Sequence, residues 1–95
     1  HVACMAHARR YFVDVVKANK KEGLAHQVVK LMGKLYELEK KLKEQQASPE
    51  TIFIQRHQFA RPILVELKTL LDDSQFKILP KSPLGKAVFY ALNHW

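Results

Sequence analysis

Apolar residues recur through the middle of the chain at the spacing of one face of an α-helix. They follow one another at intervals of four, three, four, three and four residues, at Leu24, Val28, Leu31, Leu35, Leu38 and Leu42. This periodicity predicts a long helix from about Leu24 to Gln46. We expect it to pack inside one molecule as half of an antiparallel helical hairpin, because the seam is short for an intermolecular coiled coil. The alternative is a helical oligomerisation module that does not bind DNA.

Two further helices are predicted, one before this helix in the chain and one after it. The earlier helix runs from Met5 to about Asn19, because Ala8, Phe12, Val15 and Val16 are apolar at helical spacing. The third begins at Pro49, where Ser48 can cap it, and continues to about Leu71. Its expected buried side is Ile52, Phe59, Ile63, Leu67, Leu70 and Leu71. Pro62 lies inside this helix and either kinks it or splits it near Arg61, and the even apolar spacing favours a kink.

The two ends complete the expected fold. Pro80 disfavours helical geometry at Leu79, and Ser82-Pro83 is typical of a new helix start. His1 to Met5 is either the end of a strand or a frayed helix start. The fold class is therefore mainly α, with three to four helices in a single domain over residues 1–95, and a short N-terminal extended segment is left open. The chain lacks an initiator Met and ends on a helical stripe, so we expect a piece of a longer protein.

Charge favours an anionic partner. Sixteen Lys and Arg residues stand against nine Asp and Glu residues, which gives a net charge of +7. Nucleic acid is the partner that such a balance favours, although ordinary solvated charge explains it as well. The candidate phosphate contacts are Arg9, Arg10, Lys81, Ser82 and Lys86. No apolar run approaches the length of a membrane span, and a single cysteine excludes an internal disulfide and fits a reducing cytoplasm.

The sequence offers little for catalysis. Cys4 and His7 are three residues apart and share a helix face, but a structural zinc site needs four ligands and there is no second cysteine. A Cys–His nucleophile would also need an orienting group, which the sequence does not provide. Asp72 and Asp73 are most simply solvated residues at a helix end. We therefore assign no catalytic residue, no metal ligand and no cofactor to this chain.

Two blocks carry a specific resemblance. They are Cys4-Met5-Ala6-His7-Ala8-Arg9-Arg10-Tyr11-Phe12 and the run from Leu79-Pro80-Lys81-Ser82-Pro83-Leu84-Gly85-Lys86-Ala87 to Trp95. With Tyr36-Glu37-Leu38-Glu39 and Arg61-Pro62-Ile63-Leu64 between them, they resemble the bacterial transposase family of insertion sequence 66. Met5 and Tyr11 stand where that family usually has Trp and Lys. The resemblance covers essentially the whole chain.

This resemblance implies a fragment of a DDE-type transposase, which cuts and joins DNA with Mg²⁺ in a ribonuclease-H-like domain. The second catalytic Asp would precede His1 and the catalytic Glu would follow Trp95, so this chain would be a helical insertion between them. Cys4 and His7 match a Cys-x-x-His motif, which implies a supporting role at the active site, and His1 to Met5 would finish a strand. The implied partners are DNA and the rest of the transposase chain, in the bacterial cytoplasm, with no membrane. A homodimer is a further possible partner, suggested by the Leu24–Leu42 seam and by Trp95 at the end of a helical stripe.

Overall fold

The protein is all-helical in the computed structural model, which describes residues 2–19 and 23–95, with side chains from Met5 onward in the first range. Four helices form within these ranges, and no strand does. They are α1 (Val2–Ala18), α2 (Leu24–Glu44), α3 (Pro49–Gln55 and Arg61–Ser74, joined by the π-helical turn Arg56–Ala60) and α4 (Pro83–Asn93). The mainly α fold is confirmed.

Helix α1 begins earlier than an N-terminal strand would allow. Its hydrogen-bonded turns start at Val2, so the residues from Val2 to Met5 are helical and the extended alternative is wrong for them. The apolar stripe explains this, because Met5, Ala8 and Phe12 continue one helix face without interruption. His1 lies outside the described residues.

The leucine seam of α2 is used inside the molecule. Val28, Leu31, Leu35 and Leu42 are buried, with Val28 fully so. The main core receives Val28 and Leu31 of this seam. It draws on all four helices and comprises Ala8, Phe12, Val15, Ala25, Val28, Leu31, Met32, Leu67, Leu71, Ala87, Val88 and Ala91. The part of the seam that lies in this core, Val28 and Leu31, is therefore used within the molecule.

Helices α2 and α3 form the expected antiparallel hairpin. Nε and a terminal nitrogen of Arg56, near the start of α3, donate to the two carboxylate oxygens of Glu39, near the end of α2, at 2.8 and 2.9 Å. Sequence spacing favours Lys43 as the partner of Glu39 one turn away, but the cross-helix arginine takes that place. A guanidinium places two separate nitrogens against the two carboxylate oxygens, a geometry that the single nitrogen of a lysine ammonium does not offer.

Pro62 is accommodated by a wider turn instead of a break. A helical proline lacks an N–H, and its ring clashes with the carbonyl four residues earlier, here that of Gln58. The turn Arg56–Ala60 widens the helix at this point, and the Arg61 N–H donates to the Arg56 carbonyl oxygen five residues back. The expected burial of Phe59 is wrong, since its exposure is 48% and Ala60 is buried in its place. The extra residue in the π turn rotates Phe59 away from the core.

Candidate functional site

The predicted phosphate-binding residues lie on two sides of α1. Ser82 and Lys86 lie in a cleft between α4 and α1, which Tyr11 and Asp14 also line. The guanidinium of Arg9 lies over the ring of Tyr36 on α2, with its central carbon 5.6 Å from the ring centre. The structure therefore brings Ser82 and Lys86 together and leaves Arg9 on a different face.

Arg10 and Lys81 do not line the cleft, but their positions in the chain place them near residues that do. Arg10 precedes the cleft residue Asp14 by four residues, which is one helical turn on the same face. Lys81 immediately precedes Ser82. The side chains of Arg10, Lys81 and Lys86 are exposed. Of these three exposed cations, Lys86 lines the cleft itself, and Arg10 and Lys81 are next to lining residues along the chain.

The hydroxyl of Ser82 has a structural role. It accepts a hydrogen bond from the Gly85 N–H at 3.0 Å, as the expected helix cap does, and it donates to the Leu79 carbonyl oxygen at 2.7 Å. The Ser82 N–H donates to the same carbonyl at 3.0 Å. Since the only proton of the hydroxyl is used by Leu79, Ser82 could bind a phosphate oxygen only by giving up that bond.

Gly85 is required by the same turn. A Cβ at this position would collide with the carbonyl oxygen of Leu79 and would lie 2.9 Å from its carbon and 3.0 Å from the Cα of Pro80. The chain therefore folds back on itself so closely that only glycine fits. The run from Leu79 to Gly85 is explained as a compact helix-start structure before any ligand is considered.

His7 links α1 to α4. Its Nδ1 lies 3.3 Å from the Tyr90 hydroxyl, and the tautomer decides which group donates. The Tyr90 ring also contacts Tyr11, with ring centres 5.0 Å apart, and His94, with ring centres 4.1 Å apart. His7 is thus exposed, and the hydrogen bond that its ring makes is to a side chain of another helix. The side chain of Cys4 lies outside the described residues, so its predicted partnership with His7 stays a prediction.

An open apolar groove lies between α1, α2, α3 and α4, and it shares no lining residue with the α1–α4 cleft. Its floor is buried and consists of Ala8, Met32, Leu35, Ala60 and Ala91, with Met5 and Leu64 half-buried beside them. Its rim holds Tyr36, Glu39, Arg56, Arg61, His94 and Trp95. Sequence reasoning missed this groove, although four of the rim and wall residues fall in the two central blocks, Tyr36–Glu39 and Arg61–Leu64.

The Arg56–Glu39 pair holds one rim of the groove together. The hydrogen bond from Arg56 to Glu39 raises the pKa of the guanidinium, with their Coulomb attraction adding to it and desolvation opposing it. Arg56 is therefore charged at every pH at which a protein of this kind is studied. Both side chains are about half exposed, at 56% and 47%, so the pair contributes only about 0.2–1 kcal/mol.

Two classes of site are not found in the part of the chain with described residues. No three histidine, cysteine, aspartate or glutamate side chains come together there in the manner of a metal centre. None of the helices in residues 2–19 and 23–95 combines the length and apolarity that crossing a bilayer needs.

Comparison with known proteins gives a family match over the whole chain. The protein-family model described as "Transposase IS66 family" matches residues 1–95. No solved structure matches the chain significantly.

A curated relative is similar over almost the same length. The chain is 37% identical over 93 residues to a protein of Sinorhizobium fredii (strain NBRC 101917 / NGR234) described as "Uncharacterized protein y4jD". The match covers 97% of this chain but 17% of the relative. The chain thus spans about a sixth of the length of that protein.

Proposed function

Since the chain belongs to the IS66 family of transposases, we propose that it is a helical part of a transposase that helps to hold DNA and does not itself carry the reaction. The observation that supports this is the α1–α4 face, where Arg10, Lys81 and Lys86 are exposed on neighbouring elements. Cations at such positions bind phosphates through charge and carry no information about base sequence. Arg9, on another face, is left out of this surface.

The chemistry of the whole protein would lie outside this chain. In our proposal, transposition requires metal-assisted attack of water and then of a 3′-hydroxyl on a phosphodiester, with Mg²⁺ held by carboxylates elsewhere. This chain would supply position and charge. His7 would support the active site indirectly, because its contact with Tyr90 would fix the position of α1 against α4. This is the supporting role that we propose for the His7 part of the Cys4–His7 motif. A protein that acts on bacterial DNA in this way would work in the cytoplasm.

Fluorescence anisotropy with a labelled duplex tests the DNA contact. We expect binding that is indifferent to base sequence and that weakens steeply between about 50 and about 200 mM salt, because bound cations release counterions from DNA. Retention of DNA that does not weaken over this range would contradict the electrostatic account. So would a strong preference for one duplex sequence.

A second candidate function is a structural module that joins copies of the protein. Three apolar side chains on α3, Phe53, Ile54 and Val65, have exposures of 73, 57 and 58%. A contact between copies would remove these side chains from water, whereas a DNA backbone would not. Sedimentation at several concentrations distinguishes the two: a monomer that binds DNA supports the first function, and a tight dimer that is indifferent to DNA supports the second.

A further inference from the structure

The groove between the four helices has the construction of a docking site for a helix. Its floor is apolar and buried, while its charged residues stand on the rim, where Glu39, Arg56 and Arg61 are exposed. The groove has a volume of about 570 Å³, within the usual range of ligand sites. A site for a small polar molecule would have polar groups converging on its floor, whereas an amphipathic helix needs an apolar floor between charged edges.

The charge of the rim indicates the chemistry of the occupant. Arg56 is already neutralised by Glu39. Arg61 on the same rim, and Arg9 beside Tyr36, have no carboxylate within 4 Å among the described residues. Arg61 therefore lines the groove as an unneutralised guanidinium, and Arg9 lies behind the rim over the ring of Tyr36. A carboxylate brought to this edge of the groove would be favourably placed.

We propose that this groove binds an amphipathic helix from outside this chain, with leucine-sized side chains on its apolar face and carboxylates along the edge that faces Arg61 and Arg9. The apolar side chains cover Met32, Leu35 and Leu64, and the carboxylates pair with the arginines. The interaction does not depend on DNA, because the groove and the α1–α4 face are separate surfaces.

A designed peptide tests this on the 95-residue chain, which has a buried core of its own. The probe is a labelled helical peptide with leucines at i, i+3, i+4 and i+7 and glutamates on both sides, compared with a peptide in which lysines replace the glutamates. We expect the glutamate peptide to bind, and we expect the affinity of the lysine peptide to be at least about tenfold lower. Equal binding of both peptides would overturn the assignment of an acidic partner, and failure of both would overturn the groove as a helix site.

Matched variants locate the contact. Leu64→Lys places a charge on the half-buried wall of the groove, and Val65→Lys places the same charge one residue away at a position 58% exposed. We expect at least about a tenfold loss of peptide affinity for the first and little change for the second. Arg61→Glu should reverse the preference between the two peptides, while Lys77→Glu, an exposed control, should not. Circular dichroism shows that each variant is folded.

Two other occupants would appear as distinct outcomes. If the groove binds a second copy of this chain, Leu64→Lys will abolish self-association seen by sedimentation. If it binds DNA, Arg61→Glu will lower DNA affinity as much as Lys86→Glu does, and duplex DNA will compete with the peptide. Either result overturns the helix proposal. If the unsubstituted chain binds the glutamate peptide but does not bind DNA, the DNA-holding function will be contradicted and the groove assignment will remain supported.

Discussion

The structure requires glycine at position 85 but not at position 33. Gly85 lies against the Leu79 carbonyl, where a Cβ would collide, whereas nothing lies within 4 Å of a Cβ built at Gly33. Gly33 lies inside α2, and no neighbouring group requires the absence of a side chain there. The sequence alone leaves open whether Gly33 is a weak point or a close approach between helices, and the structure favours the weak point.

Alanine at these two positions should therefore have opposite effects. We expect Gly85→Ala to lower the free energy of unfolding by about 1–3 kcal/mol or more, because the backbone must move to relieve the clash. Gly33→Ala should raise it by about 0.5–1 kcal/mol, because alanine restricts the unfolded chain and favours the helix. Urea unfolding followed by circular dichroism measures both, and a stabilised Gly85→Ala variant would contradict the described turn.

Ser82 offers a test of structure against ligand binding at one residue. Ser82→Ala removes the cap and the bond to Leu79, and we expect a loss of about 1–2 kcal/mol of unfolding free energy. Ser48 caps α3 by accepting from the Thr51 N–H at 3.2 Å and donates to the Thr51 hydroxyl at 3.0 Å. Both residues are exposed, so water can replace these bonds and Ser48→Ala should cost less. DNA affinity of folded Ser82→Ala should be unchanged. A loss of affinity as large as that of Lys86→Ala would show that the hydroxyl binds DNA.

At the scale of the elements, regular features were predictable and compensating ones were not. The α2 seam and the two Ser-Pro helix starts could be predicted because each depends on residues close in sequence. The π turn before Pro62 could not, because a proline signal is equally consistent with a kink, a break or a widened turn. The pairing of Glu39 with Arg56 depends on how two helices meet, which local spacing does not contain.

A double-mutant cycle measures what that pairing contributes to the hairpin. Glu39→Gln, Arg56→Gln and the double variant should give a coupling energy of about 0.2–1 kcal/mol, because both side chains are half exposed. The coupling should fall at about 1 M salt, where screening is strong. The same cycle on Glu39 and Lys43 is the control and should give less. A larger coupling with Lys43 would contradict the cross-helix pair.

At the scale of the whole molecule, the two surfaces to which we assign proposed functions were predictable from the sequence only in part. Arg10, Lys81 and Lys86 were recognisable as candidate cations, but their common side of the molecule follows from the packing of α1 against α4. Arg9 is adjacent in sequence to Arg10 and yet lies over Tyr36, because consecutive helical residues point about 100° apart. The groove was not predictable, since its residues come from four helices and none of them is unusual alone.

The salt dependence of DNA binding in two matched triple variants tests the central claim most directly. One variant replaces Arg10, Lys81 and Lys86 with alanine, and the other replaces the exposed lysines Lys34, Lys41 and Lys43 of α2, so both remove three positive charges. The account predicts that the slope of log affinity against log salt falls by roughly 2–3 in the first variant, since each phosphate contact contributes about 0.9, and changes little in the second. Equal slopes in the two variants would contradict it.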